Sequence, residues 1–137
     1  LDFADLLSEQ AHDFIPRHRA MAFVEMKLLP DPKNPSRDLW DAGREVVPEQ
    51  RYSFPVRGMK AGRPARLVMR VTPYRDLQLR FHLKSGRLLP LELHPRDGWS
   101  EVWLDLPAPD VSPNLELSIT SSRLGIVLYH LWAVQAP

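Results

Sequence analysis

The amino-acid sequence predicts an all-β fold, an antiparallel β-sandwich or jelly roll. In Asp76–Lys84 four apolar residues alternate without exception with polar ones, and this period of two belongs to a strand with one apolar face. Segments of the same period recur from about residue 50 to the end, with no helical pattern between them. The 14 prolines disfavour helix interiors and mark strand-ending loops.

Length and composition limit the domain organisation. The 137 residues suit one domain with a continuous core, and no internal repeat or boundary interrupts them, so we expect 1–137 to form a single β-sandwich domain. The chain begins at Leu1 without an initiator Met or signal-like segment, and we expect it to be a domain excised from a larger protein. No apolar run reaches the roughly 18–20 residues of a membrane helix, so no membrane insertion is expected.

The N-terminal part of the chain carries mixed patterns. Leu1–Ile15 fits either a short amphipathic helix with Phe3, Leu6, Leu7 and Ala11 on its apolar face, or a strand followed by a loop. Ala20–Leu29 alternates and is predicted as a strand. The next segments are predicted as an irregular, proline-rich connection and a polar-aromatic segment that ends in a glycine turn, namely Pro30–Ser36 and Asp38–Arg44.

The remaining strands follow from alternation and from the turns between them. Arg51–Arg57 is predicted to be an edge or bulged strand because Pro55 cannot donate a ladder hydrogen bond. Ala65–Thr72 is apolar on both faces and is predicted to be central. The other predicted strands are Asp76–Lys84, Leu88–Leu93 after a hairpin turn, Trp99–Leu106, Leu115–Thr120 and the long apolar Gly125–Gln135.

Charge is unevenly distributed although the net charge is only +1. Seven arginines and Lys60 lie between Arg51 and Arg80, against the single Asp76. Such a segment can attract an anionic polymer, but most of these arginines fall at strand or turn positions that face solvent, which is the interpretation that we favour. Neither interpretation predicts a nucleic-acid partner.

The sequence contains no recognisable catalytic or cofactor motif. The five histidines form no HExxH pair, and no GxSxG, P-loop or dinucleotide glycine pattern is present. The absence of cysteine excludes disulfides and thiolate chemistry and is compatible with the cytoplasm or with export. Glu101 and Asp105 flank Trp103 on one strand face, which is typical of a solvated face rather than an acid–base pair across a cleft. We expect no enzyme activity and no cofactor, although loop acids such as Asp41 leave a structural calcium ion possible.

The candidate ligand-binding residues are aromatic and charged side chains in or near loops: Trp40, Asp41, Arg44, Trp99 and Trp103. Sugar-binding surfaces use exposed rings because one face of a pyranose is apolar while its rim needs polar partners. The alternative is that the tryptophans close the ends of the sandwich core, with each indole N–H bonded to a loop carbonyl.

Two segments resemble a known family. Asp2–His12 is similar to an opening "Asp-x-Gly-Asp-x-x-Ser-Glu-x-x-His-Gly", with Ala4 and Asp13 where that pattern has glycine. Arg37–Gly43 followed by Tyr52–Val56 resembles "Arg-x-Trp-Arg-Asp-Ala … Tyr-x-Phe-x-Val". Both patterns are similar to the C-terminal β-sandwich module of bacterial β-L-arabinofuranosidase-like glycoside hydrolases, which resembles the wider group of galactose-binding-like jelly rolls.

The resemblance implies a non-catalytic carbohydrate-binding or accessory module of an exported, carbohydrate-active bacterial protein, in an extracellular or periplasmic location. Its partner would be a carbohydrate or a neighbouring catalytic domain. Ser8, Glu9 and His12 would then be structural and would attach the N-terminal segment to the sandwich. The resemblance also favours a strand followed by a loop, rather than a helix, over Leu1–Ile15. The alternative is a structural or protein-interaction β-sandwich domain of a larger assembly, with no small ligand.

Overall fold

A computed structural model describes residues 1–16, 24–31, 33–48, 50–96 and 98–135, without the side chains at 15–16, 24–31, 35 and 37–40. The helix α1 spans Leu6–Ala11, and a short 3₁₀ helix spans Ala108–Asp110. The strands are β1 Ile15–Pro16, β2 Val24–Asp31, β3 Asn34–Glu45, β4 Tyr52–Arg57, β5 Ala65–Pro73, β6 Leu77–Leu83, β7 Leu88–Leu93, β8 Ser100–Leu106, β9 Asn114–Ser121 and β10 Ile126–Val134.

The strands form two five-stranded sheets. One has the order β1-β4-β9-β6-β7, and the other has the order β2-β3-β10-β5-β8. Every pairing between these strands is antiparallel. The chain is therefore an all-β antiparallel sandwich, as the alternating patterns predicted.

The core lies between the inner faces of the two sheets. Leu79 and Phe81 of β6 are fully buried, as are Leu67 and Met69 of β5, and all four belong to one hydrophobic cluster. The residues that alternate with them face outward: on β6 these are polar, and on β5 the apolar Val68 lies between Arg66 and Arg70. Each such side chain contributes about 1.5–3 kcal/mol by its removal from water, so the period-two pattern defines the main source of stability.

The strand β4 is an edge strand over only part of its length, because it lies between β1 and β9 in the sheet. Among the described residues β1 pairs only with Tyr52 and Ser53, so one edge of β4 is uncovered from Phe54 onward. Pro55 pairs with Glu116 of β9 on the other side. A residue without an N–H group costs no ladder hydrogen bond at such an edge.

The segment from residue 30 to residue 45 differs from the prediction. Instead of a long irregular connection, β2 continues to Asp31 and β3 begins at Asn34, so the two strands form a hairpin. The predicted glycine turn is also wrong, because Gly43 is buried within β3 and pairs with Glu25 of β2. The predicted strand Ala20–Leu29 is seen from Val24 onward; residues 17–23 and the side chains that were expected to form its core face lie outside the described part.

The N-terminal segment contains the helix, but its apolar face was predicted wrongly. The carboxylate of Asp5 caps α1 by accepting from the backbone N–H groups of Leu7 (2.9 Å) and Ser8 (3.2 Å). Leu6 and Leu7 are 73% and 77% exposed, whereas Glu9 is the buried residue of the helix. A polar contact of Glu9 therefore replaces the expected apolar contact.

Residues before the helix join the last strand. The backbone N–H of Phe3 donates to the carbonyl of Tyr129 at 2.8 Å, and Leu1 and Leu131 exchange two hydrogen bonds of 3.0 and 2.9 Å. The strand β3 pairs with β10 only at Val127 and Leu128, so this segment continues the pairing along β10. Phe3 is 1% exposed and contacts the rings of Phe14 and Phe54.

Candidate functional site

The outer face of the sheet β2-β3-β10-β5-β8 carries exposed tryptophans. Trp132 of β10 and Trp103 of β8 both pair with Val68 of β5, so they lie in one row across three adjacent strands. Strands are spaced by about 4.8 Å, which puts these two backbone positions roughly 10 Å apart. Trp103 is 56% exposed and Trp132 is 39% exposed. We call this surface, with Trp99, Arg66 and Arg70, the aromatic face.

Arg70 is the central cation of the aromatic face. Its guanidinium carbon lies 4.8 Å from the ring centroid of Trp99 and 5.5 Å from that of Trp132. It also donates to Glu101 at 3.0 Å and lies 3.8 Å from a carboxylate oxygen of Asp41. Two rings and two carboxylates therefore hold this side chain in place.

Arg66 has the same role beside Trp103. Its guanidinium carbon lies 5.4 Å from the centroid of the Trp103 ring, and its Nε donates to Asp105 at 2.7 Å. The hydrogen bond from Arg66 lowers the pKa of Asp105 below its ordinary value of 3.8. Asp105 is therefore ionised at neutral pH and is poorly suited to protonate a leaving group.

A bulge in β10 sets which residues reach the aromatic face. The pairing with β5 shifts between Leu128 and His130, and the extra residue is Tyr129. Tyr129 is fully buried, its ring centroid lies 5.7 Å from that of Trp99, and its hydroxyl accepts from Thr72 at 3.3 Å. After the bulge His130, Trp132 and Val134 alternate along the outer face, and the imidazole stacks on Trp132 at 5.3 Å.

One group of residues at the margin of this face offers metal-ligating atoms. His130 Nε2 lies 2.9 Å from Asp41 and its Nδ1 lies 3.5 Å from Asp2, and one ligand atom from each residue falls within 4.8 Å of the others. Burial raises the pKa of Asp2, an effect that nearby His130 opposes. Calcium prefers six to eight oxygen ligands, whereas this set includes an imidazole and lies beside the Arg70 cation, so it fits a hydrogen-bonded network better than a calcium site. Structural calcium elsewhere in the loops stays a prediction.

The structure brings together three of the predicted ligand-binding residues. Asp41, Trp99 and Trp103 all belong to or border the aromatic face through Arg66 and Arg70.

Of the other two predicted residues, Arg44 lies elsewhere, and the prediction for Trp40 stays untested. Arg44 is largely buried and its guanidinium is bonded to Glu9. Trp40 lies in β3 opposite Leu28 of β2, and its side chain is outside the description.

Sequence reasoning missed Trp132, His130, Arg66 and Arg70. The available signal was the polar–apolar alternation at the end of β10, where His130 and Trp132 alternate with Leu131. The contacts of Arg70 with Asp41 and Glu101 join residues 29 and 31 positions away, and no local pattern reports them.

Comparison with known proteins finds similarity only at the level of the fold. No protein-family model matches the chain, and no curated protein sequence does. Similar solved structures include a carbohydrate-binding module from a Cellvibrio mixtus lichenase, solved with cellotriose (TM-score 0.57, 13% identity, covering 89% of this chain and 92% of that one). Another is the C-terminal family 6 carbohydrate-binding module of a laminarinase from Zobellia galactanivorans (TM-score 0.51, 14% identity, 88% and 97% covered).

A family GH115 4-O-methyl-α-glucuronidase with specificity for decorated arabinogalactans is also similar (TM-score 0.54, 10% identity). The match covers 90% of this chain but 18% of the glucuronidase, so the chain spans about a fifth of that enzyme's length. At these identities the likeness establishes the β-sandwich fold alone. Among the described residues, no helix has the length and apolar character that are needed to cross a membrane.

Proposed function

We propose that this chain is a non-catalytic carbohydrate-binding module and that its glycan packs on the aromatic face. The observation that carries the proposal is the pair of exposed indoles, Trp103 and Trp132, which lie in one row on a rigid sheet. Sugar rings stack on such surfaces because their apolar faces gain contact area while their hydroxyl groups reach polar neighbours. Sandwiches of the same fold include modules that bind carbohydrate.

The charges on this face favour a neutral glycan. The two guanidiniums of Arg66 and Arg70 are outnumbered by the carboxylates that contact them or border them, which are Asp41, Glu101, Asp105 and Asp2. An anionic sugar would meet net negative charge there, whereas the hydroxyl groups of a neutral sugar can accept from the guanidiniums and donate to the carboxylates.

The wider setting is part of the same proposal. The pattern shared with the C-terminal module of β-L-arabinofuranosidase-like hydrolases supports an accessory domain cut from a larger, exported bacterial protein, in the extracellular space or the periplasm. The similarity to a segment of a long glucuronidase chain also supports attachment to a catalytic domain. In this arrangement Glu101 and Asp105 orient Arg70 and Arg66 and perform no acid–base chemistry.

Isothermal titration against a panel of neutral polysaccharides, including β-glucans and arabinans, tests this function. We expect binding by the unaltered chain and a loss of about tenfold for each of Trp103→Ala and Trp132→Ala. Leu124→Ala removes an equally exposed apolar side chain from the β9–β10 turn and should leave the affinity unchanged. A folded chain that binds no neutral glycan, or equal losses in all three variants, would refute the proposal.

A protein-interaction role is the second candidate, and the exposed Leu6–Leu7 pair on α1 favours it. Neighbouring leucines that are 73% and 77% exposed form a contact that a partner protein could cover. Light scattering of the chain over a range of concentrations would show self-association. A rise in mass that Leu6→Ser and Leu7→Ser abolish, without any response to glycans, would favour this alternative.

A further inference from the structure

The outer face of the other sheet, β1-β4-β9-β6-β7, carries a groove with a different chemistry. The groove has a volume of about 970 Å³ and runs across β4, β9 and β6. In its floor Ser53, Ser118 and His82 lie opposite one another in one row across these three strands. The floor therefore offers two hydroxyl groups and an imidazole to anything that lies in the groove. It lies on the side of the sandwich opposite the aromatic face.

Among the described residues, one cation that lines the groove has no carboxylate partner. Arg57 is paired with Asp13, and Lys84 lies 3.2 Å from Glu116, so these four charges compensate one another. Arg51 also lines the groove, and within the described ranges no carboxylate lies at ion-pair distance from it. Its guanidinium is a planar fork of N–H donors that matches a carboxylate or a sulfate group.

The contacts of His82 show that this part of the groove is arranged around a positive charge. Arg51 Nη2 lies 3.4 Å from His82 Nδ1, and a guanidinium can only donate, so Nδ1 accepts. Nε2 therefore carries the proton and donates to the hydroxyl of Thr120 at 2.8 Å. In this tautomer the imidazole is neutral and adds no second positive charge beside Arg51. The remaining N–H groups of Arg51 stay available to an incoming anion.

We infer that this groove binds an anionic group of a polysaccharide, a uronate carboxylate or a sulfate ester, with Arg51 as the principal donor and the hydroxyl groups of Ser53 and Ser118 as additional donors. A nucleic acid fits less well, because among the described residues no aromatic side chain faces outward here. Phe54 and Phe81 point into the core, so the bases of a single strand would have no aromatic ring to stack on.

The inference is independent of the proposed function of the aromatic face, because the two surfaces lie on different sheets and share no residue. A neutral backbone could lie on the tryptophans while an acidic chain, or an acidic substituent of a second chain, lies in the groove. Either site can fail its test without affecting the other.

Isothermal titration of the full chain at low ionic strength tests the inference in three arms: polygalacturonate, a sulfated galactan, and a single-stranded oligonucleotide. We expect Arg51→Gln to weaken binding of the preferred polysaccharide roughly tenfold and Ser118→Ala to weaken it about fivefold. Arg63→Gln removes the same charge from the exposed turn between β4 and β5 and should change the affinity less than about twofold, since exposed charges act weakly at a distance.

The pattern of outcomes decides the assignment. Binding of polygalacturonate alone identifies a carboxylate, binding of the sulfated galactan alone identifies a sulfate, and binding of both supports a general anionic-glycan site. Equal losses for Arg51→Gln and Arg63→Gln would overturn the inference in favour of diffuse charge attraction. Binding of neither polysaccharide, or oligonucleotide binding that is equally sensitive to Arg51→Gln, would also overturn it. Trp103→Ala should leave polyanion binding unchanged, which separates this result from a failure of the aromatic face.

Discussion

Arg44 of β3 donates two hydrogen bonds to the carboxylate of Glu9 in α1, one from Nε and one from Nη2 at 2.6 Å. The two side chains are 12% and 7% exposed. Glu9 also accepts from the backbone N–H of Ala4 at 2.8 Å. This buried ion pair attaches the N-terminal helix to the sandwich, and Ser8 supports it by accepting from the N–H of Asp2. The structural role that the family pattern implied for Glu9 and Ser8 is thus visible in their contacts.

Replacing Glu9 should therefore be costly. Glu9→Gln leaves the Arg44 cation buried without a counter-charge, and we expect the free energy of unfolding to fall by roughly 3 kcal/mol in urea denaturation. Asp13 forms the matched control, because its pair with Arg57 is exposed, at 57% and 55%. Asp13→Asn should cost less than about 1 kcal/mol. A similar cost for both variants would show that burial adds nothing to the pair.

Ala4 occupies a backbone conformation that favours glycine. Its φ is 70° and that of Asp13 is 49°, and these are the two positions where the pattern that Asp2–His12 resembles has glycine. An L-residue in this conformation destabilises the fold by about 1–2 kcal/mol. Glycine avoids that strain, but part of the gain is lost because glycine is more flexible in the unfolded chain. We expect Ala4→Gly to raise the free energy of unfolding by about 0.5–1 kcal/mol, measured by thermal denaturation.

The control for Ala4 is Ala11, which lies in α1. There the same substitution should destabilise the chain by up to about 1 kcal/mol, because glycine is a poor helix former. Destabilisation by Ala4→Gly would contradict the interpretation that the backbone at Ala4 is strained.

Gly43 is required by packing rather than by a turn. A Cβ atom added there would lie 2.5 Å from Val127 Cγ1, 2.7 Å from the Leu128 carbonyl oxygen and 2.9 Å from the ring of Tyr129. Because one of these atoms is backbone, Gly43→Ala should cost about 3 kcal/mol by overpacking and should disturb the bulge in β10. Gly58→Ala, at φ +78° with no atom within 4 Å, should cost about 1 kcal/mol. Equal costs in chemical denaturation would refute this explanation.

His82 should make stability depend on pH. Burial lowers the pKa of His82 below 6.5, and the positive charges of Arg51 and Arg80 lower it further. Between its folded pKa and about 6.5 the unfolded chain binds more protons at this residue, so the free energy of unfolding falls as the pH drops through that window. The urea midpoint should therefore fall more between pH 7.5 and pH 5 in the unaltered chain than in the His82→Gln variant. An identical decline would show that the imidazole does not contribute.

The parts of the fold that the sequence predicted are those governed by local alternation. The strands β5, β6 and β9 each have one buried face. A register shift of one residue would expose the apolar side chains of that face, so the positions of these strands could be predicted from the sequence. The strand β3 was missed because its signals, Pro35 and Gly43, normally end strands. Pro35 lies near the start of the strand. Glycine is required at position 43 because Tyr129, a residue 86 positions later, lies close to it.

The candidate site was only half predictable for the same reason. Trp103 lies on the same strand face as Glu101 and Asp105, and this arrangement can be predicted from the sequence of a single strand. The bulge that turns Trp132 outward and the position of Arg70 between Trp99 and Trp132 depend on which strands are neighbours. Arg44 was grouped with Asp41 by closeness in sequence, yet their side chains contact different partners, Glu9 for one and His130 for the other.

The hydrogen bonds between Leu1 and Leu131 have a consequence for the order of folding. They join residues 130 positions apart, and the entropic cost of closing a loop grows with its length. We expect this pairing to form late, because the closure of so long a loop is favourable only after other strands have brought the two segments close together. The same event brings Asp2 to His130, whose ring supports Trp132. We therefore expect the aromatic face to gain its full support only when the N-terminal segment has paired with β10.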